Sequence, residues 1–280
     1  MMGRQMLKVS LRQRTIAAII ISFLLLLGMV LSGLWIGDEK LGISPEAMNE
    51  GPSLSHLFGT DWLGRDMLAR TFKGLTLSFG VGILAAFSST MIALIFSLLA
   101  SWNETIDRIV TGLIDLFLSV PHIVLLLLIS FAMGGGFKGV VIGLALTHWP
   151  SLTRVLRAEM LQVKTAEYVG VSRKLGKSRL WIARHHILPH LLPQLFIGFI
   201  LLFPHAILHE AAITFLGFGL PSEQPAIGII LSESMRYLSI GMWWLAVFPG
   251  LSLLLMVALF DMLGQSLRKW IDPFHGQKGV

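Results

Sequence analysis

No cysteine occurs among the 280 residues. Disulfides, thiolate-bound zinc, iron–sulfur clusters and thiol nucleophiles are therefore excluded, and the redox compartment is left open. Charge is scarce too: Asp, Glu, Lys and Arg make up 14% of the chain, against roughly one quarter in a soluble domain. Catalytic signatures are equally thin. No G-x-S-x-G segment offers a serine nucleophile. His209-Glu210 opens like the H-E-x-x-H of a zinc protease, but Ile213 stands where the second histidine belongs. Gly176-Lys177-Ser178 ends like a phosphate-cradling loop, yet Gly170 lies one residue too far upstream and no apolar strand leads in.

What is present is apolar length. Apolar residues form 54% of the chain and the mean hydropathy is +0.75, more apolar side chain than a water-soluble fold can bury. Runs free of Asp, Glu, Lys and Arg cover 15–37, 74–103, 116–137, 139–153, 185–209 and 237–260, and most reach the ~20 residues that cross a hydrocarbon core as a helix. Backbone groups in lipid must be satisfied within their own element, and no run alternates like a barrel strand. The expected fold is an all-α membrane protein with six transmembrane helices. The fourth run is the shortest, rising only about 22 Å as a helix. It is extended through Arg154, whose stem can reach the interface.

The net charge of +6 does not suggest nucleic acid, because the basic residues cluster at the ends of apolar runs, where membrane lipid explains them. Arg4, Lys8, Arg12 and Arg14 precede the first run without an acid, which predicts a cytoplasmic N-terminus. That run is too long for a signal-peptide core and no small-x-small site follows, so it is read as a retained anchor. Counting six spans puts Arg154, Arg157, Lys164, Arg173, Lys174, Lys177, Arg179 and Arg184 on the same side, together with Arg268 and Lys269 near the C-terminus. The loop after the first span holds six acids (Asp38, Glu39, Glu46, Glu50, Asp61, Asp66) and four bases (Lys40, Arg65, Arg70, Lys73), as an external loop may. Expected boundaries are tail and first span over 1–36, external loop over 37–73, transmembrane domain over 74–268 and a cytoplasmic tail over 269–280.

Residues 163–186 are too polar to cross a bilayer and too patterned for a linker. Tyr168, Val171 and Leu175, then Leu180, Ile182, Ile187 and Leu188, give two short amphipathic repeats about Gly176, which can adopt the positive φ of a reversal. The expected shape is a helix–turn–helix elbow outside the membrane, closed by Pro189 and Pro193.

The run E-Y-V-G-V-S-R-K-L-G-K-S followed by H-I-L-P at 186–189 resembles the EAA loop of ABC importer permeases, with Gly170, Val171 and Ser172 where that family usually has Glu-Ala-Ala. The segment HLFGTDWLGRDMLAR at 56–70 is similar to the one before the second span of dipeptide, oligopeptide and nickel permeases. Further similarities are Asp107-Arg108, Asp115 through Ser119 and Pro121, ITFLGFGLP at 213–221, Pro249-Gly250, Leu263-Gly264 through Leu267-Arg268, and Asp272-Pro273. Together they run in order through nearly the whole chain. The resemblance implies a type I importer permease fold in a bacterial inner membrane, paired with a second homologous permease, two ATPase subunits and an external substrate-binding protein. It also implies that ATP-Mg is held by those ATPases and that this chain carries no cofactor and breaks no bonds. Glu167, Tyr168, Gly170, Val171, Ser172, Leu175, Gly176, Leu188 and Pro189 become the coupling residues.

His205 and His209 stand four apart, so their imidazoles share one helical face at a spacing that suits a borderline metal ion. The plainer reading is a neutral pair bonded to neighbouring carbonyls. This pair before F-L-G-x-G, together with Thr147-His148-Trp149, is similar to nickel and metal-chelate permeases, whereas peptide permeases usually carry apolar residues there. The expected cargo is nickel or a related metal, free or chelated, with His205, His209, His148 and Glu210 as pathway contacts. The alternative is import of dipeptides or oligopeptides, and more distant ones are an intramembrane metalloenzyme or a passive ion channel. Glu210 and Asp115, both costly in lipid, are expected to face protein or the pathway. Gly134–136 is read as a turn, and Gly80 and Gly82 as close helix contacts.

Overall fold

Apolar runs bounded by capping residues fold here as helices. A computed structural model describes residues 11–271, and among them there is no strand, only an isolated bridge between Thr60 and Asp66. The helices are α1 (Leu11–Trp35), α2 (Met67–Ala100), α3 (Glu104–Ser119), α4 (His122–Ala132), α5 (Gly136–Thr165), α6 (Glu167–Lys174), α7 (Arg179–Ile182), α8 (Leu188–Phe215), α9 (Ile227–Leu238) and α10 (Trp244–Ile271). Arg4, Lys8 and Asp272-Pro273 lie outside the described residues.

Three of the expected spans change shape. Run 116–137 is not one helix: α3 ends at Ser119 and α4 starts at His122 with a 99° bend between them. Pro121 is the cause, because it cannot donate to a continuing helix and it pushes Val120 to extended backbone. Run 237–260 is divided as well. α9 ends at Leu238, and Gly241 at φ +90° reverses the chain before α10 begins at Trp244. The second span starts inside the loop expected to reach Lys73: Asp66 caps α2 by accepting from the Ala69 N–H, at 2.9 Å. Among the described residues, four helical stretches, α1, α2, the unbroken 179–215 and α10, are long and apolar enough to cross a membrane, and the bent α3–α4 pair makes five if counted as one span.

Each end of α2 is pinned. At its start, the fully buried Asp61 accepts from Arg70 Nη1 at 2.8 Å and from Arg65 Nε at 2.7 Å, and Arg70 Nη2 reaches Glu233 of α9 at 2.7 Å. This network is what the 56–70 segment builds. Its Trp62 stacks on Tyr237 with centroids 4.5 Å apart, and Thr60 O accepts from the Trp244 indole. At the far end of α2, Lys164 Nζ donates to Ser101 O at 2.6 Å and Arg179 Nη1 to Trp102 O at 3.2 Å. Cations there satisfy carbonyls that a helix terminus leaves open. A helix of 34 residues spans about 50 Å, so the 38–66 loop and the 163–186 segment lie at opposite ends of the molecule.

The core forms three clusters. One joins α1, α2, α8, α9 and α10 around Phe203, whose ring centroid is 3.9 Å from that of Phe260. Gly82 belongs to this contact, since a Cβ there would meet the Phe203 ring at 2.8 Å, whereas Gly80 faces open space. A second cluster, around Leu126, Leu144 and Ile213, joins α4, α5 and α8. The third gathers Trp149, Leu156, Met160 and Val163 of α5 with Val169, Ile182 and Ile187, tying the polar elbow to the bundle.

Candidate functional site

The helix–turn–helix shape expected of residues 163–186 is present. α6 is followed by Gly176 at φ +76°, and Ser178 then caps α7 by accepting from the Trp181 N–H. A left-handed residue costs an L side chain roughly 1–2 kcal/mol, which is why glycine stands at the reversal. α7 passes through a π-helical turn over Ala183–Ile187 and continues into α8. Pro189 and Pro193 do not close the elbow: Pro189 sits in the first turn of α8, where its missing N–H is harmless, and Pro193 lies inside the helix.

The elbow's apolar face is divided. Val169, Ile182 and Ile187 are buried. Tyr168, Val171, Leu175 and Leu180 are all exposed, Leu175 at 72% and Leu180 at 73%. Of the other coupling residues, Glu167 and Pro189 are exposed, while Gly170, Ser172 and Leu188 are half-buried. Ser172 Oγ lies 2.9 Å from His186 Nε2, bracing α6 against the π turn. Lys177 stands over the Trp181 ring at 4.9 Å. Burial, with Arg173 and Arg179 nearby, pushes the Lys164 ammonium below the usual lysine range, while Asp107 partly opposes this.

The histidines are arranged differently from the expected pair. His209 does not join His205, whose side chain is exposed; it meets His148 of α5 and His122 of α4. Ring centroids are 4.5 Å apart for His122–His148, 4.5 Å for His122–His209 and 5.2 Å for His148–His209. His205 contributes its backbone: its carbonyl lies 2.7 Å from His209 Nδ1, and Leu144 O lies 2.9 Å from His148 Nδ1. Sequence reasoning missed His122. The available signal was Pro121, since a proline-broken run turns the next residue away from its neighbours' face.

The two acids are engaged elsewhere. Glu210 is fully buried and its Oε1 accepts from Thr214 Oγ1 at 2.9 Å, while Thr214 Oγ1 accepts from the Leu220 N–H. It thereby fastens the glycine-rich 216–220 turn to α8. Asp115 accepts from Arg154 Nη2 at 3.0 Å on an exposed face. The Gly134–136 turn is as expected, with all three glycines at positive φ.

Residues 78–274 match the family described as binding-protein-dependent transport system inner membrane component. A protein of Brucella suis biovar 1 that bears the name "Putative peptide transport system permease protein" is 33% identical over 257 residues, covering 90% of this chain and 86% of that one. The dipeptide transport system permease protein DppC of Bacillus subtilis is 31% identical over 226 residues, covering 80% and 71%. Among solved structures, an inward-facing form of the MetNI methionine ABC transporter superposes with a TM-score of 0.61 at 19% identity, covering 74% of this chain and 98% of that one. That likeness is one of fold.

Proposed function

Because the chain belongs to the inner membrane components of binding-protein-dependent transport systems and is an ABC importer permease, we propose that it forms part of the translocation pathway for short peptides and that its elbow receives the force of ATP hydrolysis. The relatives named for peptide and dipeptide transport favour that cargo over the nickel expected from the His205/His209 pair. A metal-bearing cargo is the second reading, supported by the three-histidine cluster.

The observation that carries the coupling role is the row of exposed apolar side chains at Tyr168, Val171, Leu175 and Leu180 on a rigidly seated, otherwise basic elbow. Apolar groups held in water on a polar element suit a groove in a partner protein. Here that partner is a cytoplasmic ATPase, with a second permease and an external binding protein completing the assembly in the inner membrane. Closure of two ATPases displaces the elbow. α8, continuous with it, carries the displacement into the bundle, and the pathway alternates its access. The six-span arrangement with both termini cytoplasmic counts α5 as a span despite its charged second half. ATP and Mg²⁺ stay with the ATPase partners.

Replacing Gly176 by tryptophan tests the reading. Both the φ of +76° and the open space around it matter, because the new side chain strains the reversal and projects from the surface offered to the ATPase. ATP-dependent uptake of a labelled dipeptide is expected to vanish while the variant still inserts and co-purifies with the second permease. Uptake at the wild-type rate would overturn the coupling role.

A further inference from the structure

From the geometry of His122, His148 and His209 we infer a three-imidazole site for a divalent borderline metal ion, such as Co²⁺, Ni²⁺ or Zn²⁺, carried bare or in a chelate with free coordination positions. This rests on the permease reading and develops its second cargo reading, one that bears a transition metal.

The cluster draws on three elements far apart in sequence. His122 opens α4 directly after the Pro121 bend, His148 lies near the middle of α5, and His209 lies in the second half of α8. One ligand nitrogen from each falls within 4.8 Å of the others. Three imidazoles around a metal at Zn–N distances of about 2.0–2.1 Å hold their nitrogens about 3.3 Å apart in tetrahedral geometry. Binding would draw the nitrogens together by up to about 1.5 Å.

The hydrogen bonds prepare the nitrogens. Leu144 O and His205 O accept only, so the contacts at His148 Nδ1 and His209 Nδ1 require N–H on those atoms. Each neutral ring then carries its lone pair on Nε2. Metal-bound histidines are typically oriented in this way, by donating the other ring nitrogen to a carbonyl. His148 is 6% exposed and its Nε2 has no partner, and His122 Nε2 is likewise buried and unpartnered. A purely structural imidazole in an apolar bundle normally finds a partner for each nitrogen. The unpartnered Nε2 atoms of His122 and His148, on rings packed against each other and against His209, leave coordination capacity that a cation can take up. Neutral imidazoles suit borderline ions above Mg²⁺ or Ca²⁺, and three protein ligands leave positions open for water or a chelator. An ion held so, without a carboxylate, can also leave, as transport requires.

The arrangement separates the roles of His205 and His209. His205 acts through its carbonyl, which any residue supplies, so His205→Ala leaves the site intact. The test titrates Co²⁺ into the complete transporter, purified with its second permease and ATPases in lipid nanodiscs, and follows the visible d–d bands of a tetrahedral nitrogen site. Wild type and His205→Ala are expected to bind one Co²⁺ per chain with equal affinity. His122→Ala, His148→Ala and His209→Ala are each expected to weaken binding at least tenfold, and His122→Gln, which keeps polarity and size, to behave like His122→Ala. Elution volume and helical circular dichroism identify any variant that fails to assemble, and His122→Gln then carries the test. Saturable Co²⁺ binding lost in His205→Ala but retained in His122→Gln overturns the site, and so does the absence of Co²⁺ bands in wild type. ATP-driven dipeptide uptake in the same preparation keeps the two readings apart. Uptake without Co²⁺ binding sinks the metal site alone, whereas failure to co-purify with an ATPase sinks the permease reading whatever cobalt does.

Discussion

At the scale of single residues, the chain places its costly charges by pairing them. Arg70 is 4% exposed and Asp61 is fully buried, and each is held by a further partner, Glu233 or Arg65. Breaking a buried pair from one side costs up to about 3–5 kcal/mol, and removing Arg70 leaves the buried Asp61 with Arg65 alone. Arg70→Met is therefore expected to lower the unfolding temperature of the detergent-solubilised protein by several degrees and to reduce its level in membranes. Arg108→Met is the control, since its i,i+4 pair with Glu104 lies in solvent and such pairs contribute little. Equal melting temperatures for Arg70→Met and wild type would remove the network from the account of stability. The histidines show what a single sequence can reveal at this scale. A helical period relates only residues three or four apart, so it offered His205 and His209 as a pair. The neighbours His209 uses lie on other helices and are set by the bundle, which no period encodes. His148 was found only through the tripeptide around it, and His122 not at all.

At the scale of elements, legibility followed the continuity of the apolar run. α1 is uninterrupted, and its span was read directly. The elbow was readable because one glycine separates two short patterned stretches, although the pattern did not say that Val169 turns inward while Tyr168, Val171 and Leu175 face out. The α3–α4 bend and the α9–α10 break were missed for a common reason: hydropathy reports whether a stretch tolerates lipid, not whether its backbone continues. Proline and glycine carry that second signal, and Pro121 and Gly241 sit at the two breaks. The elbow's seat yields an element-level prediction. Lys164 and Arg179 bind the carbonyls of Ser101 and Trp102 just past the end of α2, so a push on the elbow reaches α2 as well as α8. In the double variant Lys164→Met/Arg179→Met, the assembled transporter is expected to hydrolyse ATP while importing severalfold less substrate per ATP. An unchanged ratio of transport to hydrolysis would mean that α8 alone carries the motion.

At the scale of the whole molecule, the question is which end meets the motor. The 38–66 loop and the elbow are separated by the length of α2, about 50 Å, against a hydrocarbon core of about 30 Å. With α2 spanning the bilayer, as the proposed reading has it, they would emerge on opposite faces of the membrane. Charge supplies the direction, because Lys164, Arg173, Lys174, Lys177, Arg179 and Arg184 crowd the elbow end while the loop holds Glu39, Glu46 and Glu50, and basic segments stay on the cytoplasmic side. ATP is available only there, so the proposed orientation and the proposed mechanism stand or fall together. The lack of cysteine makes this measurable without altering the background. Lys174→Cys at the exposed end of α6 and Leu54→Cys in the loop, which is 98% exposed, each create a single thiol. A membrane-impermeant maleimide is expected to label Leu54→Cys in intact spheroplasts and Lys174→Cys only in inverted vesicles. Labelling of Lys174→Cys from outside would put the exposed apolar row of the elbow beyond the reach of any ATPase, and the lever would have nothing to drive it.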